Sequence, residues 1–401
     1  MNALVSDTAI AGTTDDFVQV RHLVLRGAQR DVGAALGTIA RDDLGVDKTA
    51  HWTNPQATEA HAAWLAEHWP QHHQRSLGAA DAFGADPTDR DQDFSYLHYD
   101  WAVPGCSNCF YPPSTTTDGH AVLSRNYDFT TGTVFELMGR PAPPGARAAT
   151  ARPFIIETHP TQGHSTMTLA SYELLGGALD GINSAGLGVA LMATVEILRG
   201  GGPAPLFTNS VGLNEVQLLR FLLERAGTAA EARRLLETMP QYTMWVPCHF
   251  MVADASGDSF LWSNDSFLKS NDLAPGPVRL EGRANRPLCA TNHVPEHRFA
   301  DIPQRAESED RLARLQGAVT RARGDSGRAD RQGMVDASRS VAATLPPGTG
   351  QYQAASPART LWHAIYDLED RSLAVDFYLG DQANGTIRRS PYVELALGRR
   401  T

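Results

Sequence analysis

Cysteine is scarce in this chain: four residues among 401, at positions 106, 109, 248 and 289. That is too few for a disulfide scaffold at this length, so a cysteine with a special role is expected to be chemical and not structural. Long apolar runs are missing as well. No stretch approaches the roughly eighteen apolar residues of a membrane span, and the opening "MNALVSDTAIAGTTDDFVQV" carries neither a basic leader nor an uninterrupted apolar run. We expect a cytoplasmic protein with no membrane partner. An excess of positive charge is also absent, since 35 Lys and Arg stand against 45 Asp and Glu for a net charge of −10. The acidic residues are spread along the chain, which disfavours nucleic acid as a partner. There is no internal repeat and no low-complexity tract.

What is present is an ordinary globular balance, 42% hydrophobic and 20% charged, enough for a large core in one domain or two closely packed lobes. Residues 1–100 read as mostly helical and polar. In "NPQATEAHAAWLAEHWPQHHQRS" the Ala, Trp and Leu fall at helical spacing and Pro70 stops the run. The histidines at 51, 61, 68, 72 and 73 do not make a metal site, because His72 and His73 face different ways and no Cys or carboxylate cluster completes a ligand set. From about residue 120 the texture turns to strands, in "HAVLSRNYDF", "MTLASYELLG" and "LGVALMATVEI". Two helices follow. "LNEVQLLRFLLERAG" is closed by Gly227, and "TAAEARRLLETMP" opens with a Thr228-x-x-Glu231 capping box. Then come hairpins in "HFMVADASGDSFLWS" and "TLWHAIYDLEDRSLAVDFYLGD", an irregular surface segment in "KSNDLAPGPVRLEGRANRP", and helix interrupted near "GDSG" over residues 307–343. Strands, helices and strands in that order predict a layered α+β fold, not a doubly wound array.

The chemistry is concentrated at "PGCSNC" and the "SRNYDF" that follows. If the bond between Gly105 and Cys106 were cut, Cys106 would own a thiol and a free α-amine. The amine, with a reference pKa near ~8, is matched as a base to a thiol near ~8.5. Gly105 leaves room for the thiol to reach the preceding carbonyl. Downstream, Arg125 can hold a thiolate and Asp128 an amine. A spacing of three on a strand, however, sends these two to opposite faces unless the strand bends or bulges. Phe110, Tyr111 and Tyr127 are the candidates for an acyl pocket.

"GCSNC…SRNYDF", "DGINSAGLGVAL", "FMVADASG", "ATNH" and "SEDRLARLQ", taken in order, resemble the N-terminal-nucleophile hydrolases of the choloylglycine hydrolase and penicillin acyl-CoA acyltransferase type. The resemblance implies a four-layer αββα sandwich, made as a zymogen that cuts itself autocatalytically before its cysteine. Residues 1–105 would form a helical pro-segment and 106–401 the catalytic domain. By position it gives Cys106 as nucleophile, Arg125 and Asp128 as the pair that positions thiol and amine, Asn292 as an oxyanion or amine contact, and Arg311 as a support. Gly105-Cys106-Ser107 fits the family's pattern better than Cys109 does. One departure is Met192 and Ala193 where the bile-salt branch carries an oxyanion asparagine. That puts bile-acid conjugates in doubt as substrates.

The reading is therefore an enzyme that hydrolyses a linear amide, requires no cofactor, and takes a small-molecule amide or thioester. Acyl transfer from an acyl-CoA or carrier-protein donor to an amine is the alternative, and a non-catalytic binding protein on the same fold is a second. A Cys106/Cys109 redox pair is a third. His249 and His293 are read as satisfied histidines, and the "DGINSAGL" stretch, with Asn183 and Gly186, as a turn. Assembly into a homo-oligomer stays open, as does continued association with the cleaved N-terminal segment.

Overall fold

The structure, a computed structural model, describes residues 3–48, 54–100, 105–137, 139–195, 211–243, 246–263, 278–295, 303–348 and 355–398. Two sheets carry the fold. The first has nine strands in the order β1 (Leu4–Ala11), β2 (Val20–Gly27), β5 (Phe154–Pro160), β6 (Thr166–Ala170), β7 (Asp180–Asn183), β8 (Leu187–Ala193), β9 (Cys248–Asp254), β10 (Ser259–Ser263) and β11 (Val278–Glu281). The second runs β12 (Leu288–Ala290), β3 (Gly105–Tyr111), β4 (Val122–Thr130), β14 (Ala358–Asp367), β15 (Ser372–Asp381) and β16 (Ile387–Arg389). In addition β13 (Thr344–Leu345) pairs with β14, and β17 (Val393–Ala396) pairs with β15. Among these ladders only β2 with β5 is parallel.

The main core lies between the sheets. Strand alternation turns Ile155, Met167, Ile182 and Met251 of the first sheet toward Leu123, Tyr127, Trp362 and Tyr366 of the second. Small residues bring the layers close. A Cβ on Gly188 would meet Leu123 of the second sheet and Leu368 just beyond the end of β14. On the other face of the first sheet, α5 (Glu215–Arg225) and α6 (Ala229–Thr238) pack over β6–β9. On the outer face of the second, α7 (Pro303–Arg323) and α8 (Arg331–Arg339) cover β3, β4 and β12. A short α4 (Val134–Leu137) follows β4. Among the described residues no helix is long and apolar enough to cross a membrane.

The N-terminal region departs from the mostly helical expectation. It starts with β1 and β2, which extend the first sheet. The reason is tertiary: β2 bonds to β5, a strand far downstream, and propensity within one segment cannot register that partner. Helices α1 (Gln29–Asp42), α2 (Pro55–His68) and α3 (Pro70–Phe83) do follow. Val32, Leu36, Ile39 and Ala79 pack on Leu23, Leu25, Phe154 and Ile156, the outer face of the same sheet. Gly33 and Gly78 let the backbones of α1 and α3 touch, since a Cβ there would lie 2.0 and 1.9 Å from carbonyl oxygens of Arg75 and Arg30. Pro70 ends α2 and also opens α3 at its first turn, where its missing N–H costs nothing.

Three further local expectations change. The Thr228 side chain caps the Glu231 N–H, but Glu231 returns to the Gly227 N–H, so the reciprocal capping box belongs to Asn214 and Gln217 at the start of α5. "MTLASYELLG" is strand only to Ala170. Beyond it the buried Glu173 carboxylate accepts backbone N–H groups from Leu97, Leu175, Gly176 and Gly177 and holds a turn. Within "KSNDLAPGPVRLEGRANRP", Val278–Glu281 is the edge strand β11, while residues 269–277 lie outside the described residues.

Candidate active site

Strand β3 begins at Gly105 and pairs with β4 so that Cys106 faces Tyr127 and Asn108 faces Arg125. Cys106, Asn108 and Phe110 thereby point into the inter-sheet core, and Ser107, Cys109 and Tyr111 point the other way, under α7 and α8. All four cysteines are buried free thiols. Cys109 is the direct cross-strand neighbour of Cys289, with the sulfurs 3.2 Å apart. It has no part in the surroundings of the Cys106 thiol.

Each polar atom of Cys106 meets a different side chain. Arg125 Nη2 donates to Sγ at 3.3 Å, the Cys106 N–H donates to Asn292 Oδ1 at 3.0 Å, and Arg311 Nη1 lies 3.5 Å from the Cys106 carbonyl. Arg311 also reaches Asn292 Oδ1 at 2.6 Å and Asp128 Oδ2 at 3.4 Å. The Asn292 amide nitrogen donates to the Ala193 carbonyl at 2.6 Å. That arrangement presents the oxygen of Asn292 to the Cys106 nitrogen, which fits an amine contact better than an oxyanion donor.

Arg125 and Asp128 do lie on opposite faces of β4. Arg125 enters the inter-sheet core, and Asp128 faces outward to Thr360 and Arg311. The irregularity sits in the partner strand. β14 carries an extra residue at Leu361, so Thr360 stays opposite Asp128 while Trp362 stacks on Tyr127, rings 3.8 Å apart. Arg125 meets the Cys106 sulfur from the inner face of β4, while Asp128 on the outer face meets Arg311, which lies at the Cys106 carbonyl.

Electrostatically the thiol is held in its neutral form. Burial pushes Cys106 up to about 12; the Arg125 guanidinium and a backbone N–H at Asp128 pull the other way, while the Asp128 and Asp180 carboxylates add to the rise. Asp128 is itself raised by burial against the opposing pull of Arg311 and Thr360. His249 and His293 are pushed down to about 3 and about 4, first by burial, and their Nδ1 atoms engage Ser263 and Ser308. Neither stands as a base beside Cys106 in this arrangement.

Of the pocket candidates, Phe110 and Tyr127 share the face of the Cys106 thiol. Tyr111 does not: five residues beyond Cys106, it belongs to the cluster under α7 and α8, which takes it off the thiol's side of the sheet. Sequence reasoning missed two residues here. Asp180 of β7 forms an ion pair with Arg125 across the core, Oδ2 2.6 Å from Nε, and the only hint was one acid inside the apolar "LLGGALDGIN". Asn108 is buried on the thiol's face, and neither atom of its amide has a hydrogen-bond partner among the described residues.

Compared with known families, residues 115–384 match the model described as acyl-coenzyme A:6-aminopenicillanic acid acyl-transferase. The chain belongs to that family. The resemblance drawn from the motifs is borne out. The span shared with the acyl-transferase family includes Arg125, Asp128, Asn292 and Arg311 and begins beyond Cys106. Among solved structures, the chain is similar to penicillin V acylase from Agrobacterium tumefaciens, at 17% identity over 68% of this chain and 83% of that one, TM-score 0.43. It is also similar to conjugated bile acid hydrolase from Clostridium perfringens. A mutant form gives 12% identity over 71% of this chain and 92% of that one, TM-score 0.43. A variant form gives 12% over 73% and 86%, TM-score 0.38. No curated protein matches the chain.

Proposed function

We propose that this protein is a self-processing N-terminal-nucleophile enzyme in which Cys106 is both the cleavage point and the nucleophile for a linear amide. The observation that carries the reading is that the nitrogen, the carbonyl and the sulfur of Cys106 are each engaged by a separate buried or half-buried side chain. A structural thiol has no need of such an arrangement. Helices, sheet, sheet and helices stacked in that order in space support the four-layer αββα reading of the fold, with residues 1–105 as one chain and 106–401 as the other.

Processing would begin with attack of the Cys106 sulfur on the Gly105 carbonyl. The C–S bond forms as the C–N bond breaks, the thiol proton passes to the nitrogen so that it leaves as the new amine, and water then hydrolyses the thioester to a Gly105 carboxylate and the Cys106 thiol. In the mature site the α-amine takes the thiol proton, and Arg125 holds the thiolate. Asn292 Oδ1 and the Asp128–Arg311 pair fix the amine. The thiolate attacks the acyl carbon, the ammonium protonates the leaving amine, and water releases the acid. The Asn108 amide, facing the same side, is available to a substrate carbonyl or N–H.

A second reading is acyl transfer from an acyl-CoA thioester to an amine, and the family's description favours it. The same acyl-enzyme serves both, so exclusion of water and an acceptor subsite decide between them.

The test is an intact-mass spectrum under denaturing conditions of wild type beside Cys106→Ala, with native size exclusion on both. Two fragments meeting between Gly105 and Cys106 in wild type alone, eluting as one native particle, are expected. An uncut wild type would overturn the reading and leave a binding protein on this fold. For the cut enzyme, thiol release from an acyl-CoA that depends on added amine would select acyl transfer over hydrolysis.

A further inference from the structure

The Arg125–Asp180 contact has a consequence for the reacting sulfur. We infer that Asp180 is the positioning residue of this site: from the opposite sheet it fixes the Arg125 guanidinium so that Nη2 is presented to the Cys106 sulfur. The inference rests on the reading of Cys106 as nucleophile.

Asp180 and Arg125 are both fully buried and belong to different sheets, β7 and β4. Asp180 stands opposite Leu169 and Ala190 in its own sheet, which turns its side chain into the inter-sheet core. Arg125 has three nitrogens and three commitments there: Nε to Asp180 at 2.6 Å, Nη1 to the Leu191 carbonyl and Nη2 to Cys106 Sγ at 3.3 Å. Two of the three aim the third. A planar guanidinium held by an ion pair at Nε and a hydrogen bond at Nη1 has its Nη2 direction constrained, which a lysine in its place would not achieve.

Asp180 is itself immobilised. Tyr366 donates its hydroxyl to Oδ1, and Trp362 Nε1 lies 3.3 Å from Oδ2. Both rings come from β14, the strand paired to β4. The carboxylate thus takes its geometry from the sheet that holds the arginine, although it is anchored in the other sheet. A buried guanidinium without such a partner would be strongly destabilised, because one sulfur and one carbonyl do not neutralise its charge. With the partner present, Arg125 is shifted toward the charged form by Cys106 and Asp180 despite burial.

Two roles for Asp180 give opposite signs. If it acts as a bare negative charge near the sulfur, Asp180→Asn lowers the thiol pKa. If it acts by aiming Arg125, the same change releases the guanidinium and raises the thiol pKa. The experiment is the pH dependence of iodoacetamide labelling at Cys106 in the cut enzyme, read by peptide mass, for wild type, Asp180→Asn and Tyr366→Phe. An upward shift of about one pH unit in Asp180→Asn, a tenfold loss of thiolate at fixed pH, is expected, with a smaller upward shift in Tyr366→Phe. An unchanged or lowered midpoint in Asp180→Asn overturns the role of Asp180 and leaves Cys106 as nucleophile. Should Asp180→Asn fail to fold or to cut, Tyr366→Phe decides alone, since it keeps the ring and removes one hydroxyl; no shift there overturns the inference. A wild type that is never cut overturns the reading of the enzyme itself, a different failure from either of these.

Discussion

Cys106 and Cys109 are three residues apart on one strand, and an odd separation sends them to opposite faces. The structure follows that parity: one thiol meets Arg125 between the sheets, and the other meets Cys289 beneath α7 and α8. A Cys106/Cys109 redox pair is therefore geometrically excluded within an intact β3. Cys109→Ala is expected to leave self-cleavage unchanged and to cost about 1 kcal/mol through a small cavity. Intact mass and urea unfolding check this, and loss of cleavage in a folded Cys109→Ala protein would contradict it. The same parity was available in the sequence for Tyr111, which an odd count from Cys106 already places on the far side. It was available for Arg125 and Asp128 too, which the structure places on opposite faces of β4, one at the Cys106 sulfur and the other at Arg311. Asp180 is another matter. Its partner lies far away in the chain and in the other sheet, and nothing local in "ALDGIN" says which arginine it will meet.

At the scale of elements, the turn between β7 and β8 is fastened to the end of α5 by one side chain. Asn183 Oδ1 accepts from the Ala185 and Leu187 N–H groups at 3.0 Å each, and Nδ2 donates to the Leu223 and Ala226 carbonyls at 2.8 and 2.7 Å. Gly186 completes the turn at φ +89°, with the Leu368 carbonyl 2.6 Å from where a Cβ would stand. Asn183→Ala strips four backbone groups of their partner, three of them in buried bonds. A loss of about 3 kcal/mol is expected, since each unsatisfied buried group costs roughly 1–3 kcal/mol and local relaxation recovers part of it. Urea denaturation measures it, and a loss under about 1 kcal/mol would show that the turn holds itself. Elements with a closed local pattern were legible: the β9–β10 and β14–β15 hairpins, and α5 and α6 with their amphipathic faces. β11 was not, because "GPVRLEG" reads as a loop and becomes strand only where the edge of β10 offers it a ladder.

Across the whole molecule, the first hundred residues are part of both outer layer and sheet. Besides the β2–β5 ladder, Arg75 of α3 is fully buried against Glu224 of α5 at 2.7 Å, with Arg220 on the same carboxylate at 3.1 Å and the Trp69 indole at 2.8 Å. Such long-range ties explain why helices in the N-terminal stretch were readable and the strands that anchor it were not. The same dense burial makes the fold acid-sensitive. His98, His249, His293 and His363 are pushed down to about 4, 3, 4 and 3, and His72 well below its usual value, in each case first by burial. Their unfolded counterparts titrate near ~6.5. The folded state therefore binds fewer protons than the unfolded state between the two values, and stability that is complete above about pH 6.5 is lost as pH falls below it. Each such histidine contributes up to about 1.4 kcal/mol per pH unit in that window. His120, raised by its contact with Asp367, works in the opposite direction as a single, part-exposed group. The urea midpoint is expected to fall between pH 7 and pH 5, before carboxylates with ordinary pKa values near ~4 begin to titrate. Equal midpoints at the two pH values would mean that these histidines are solvated in the folded protein.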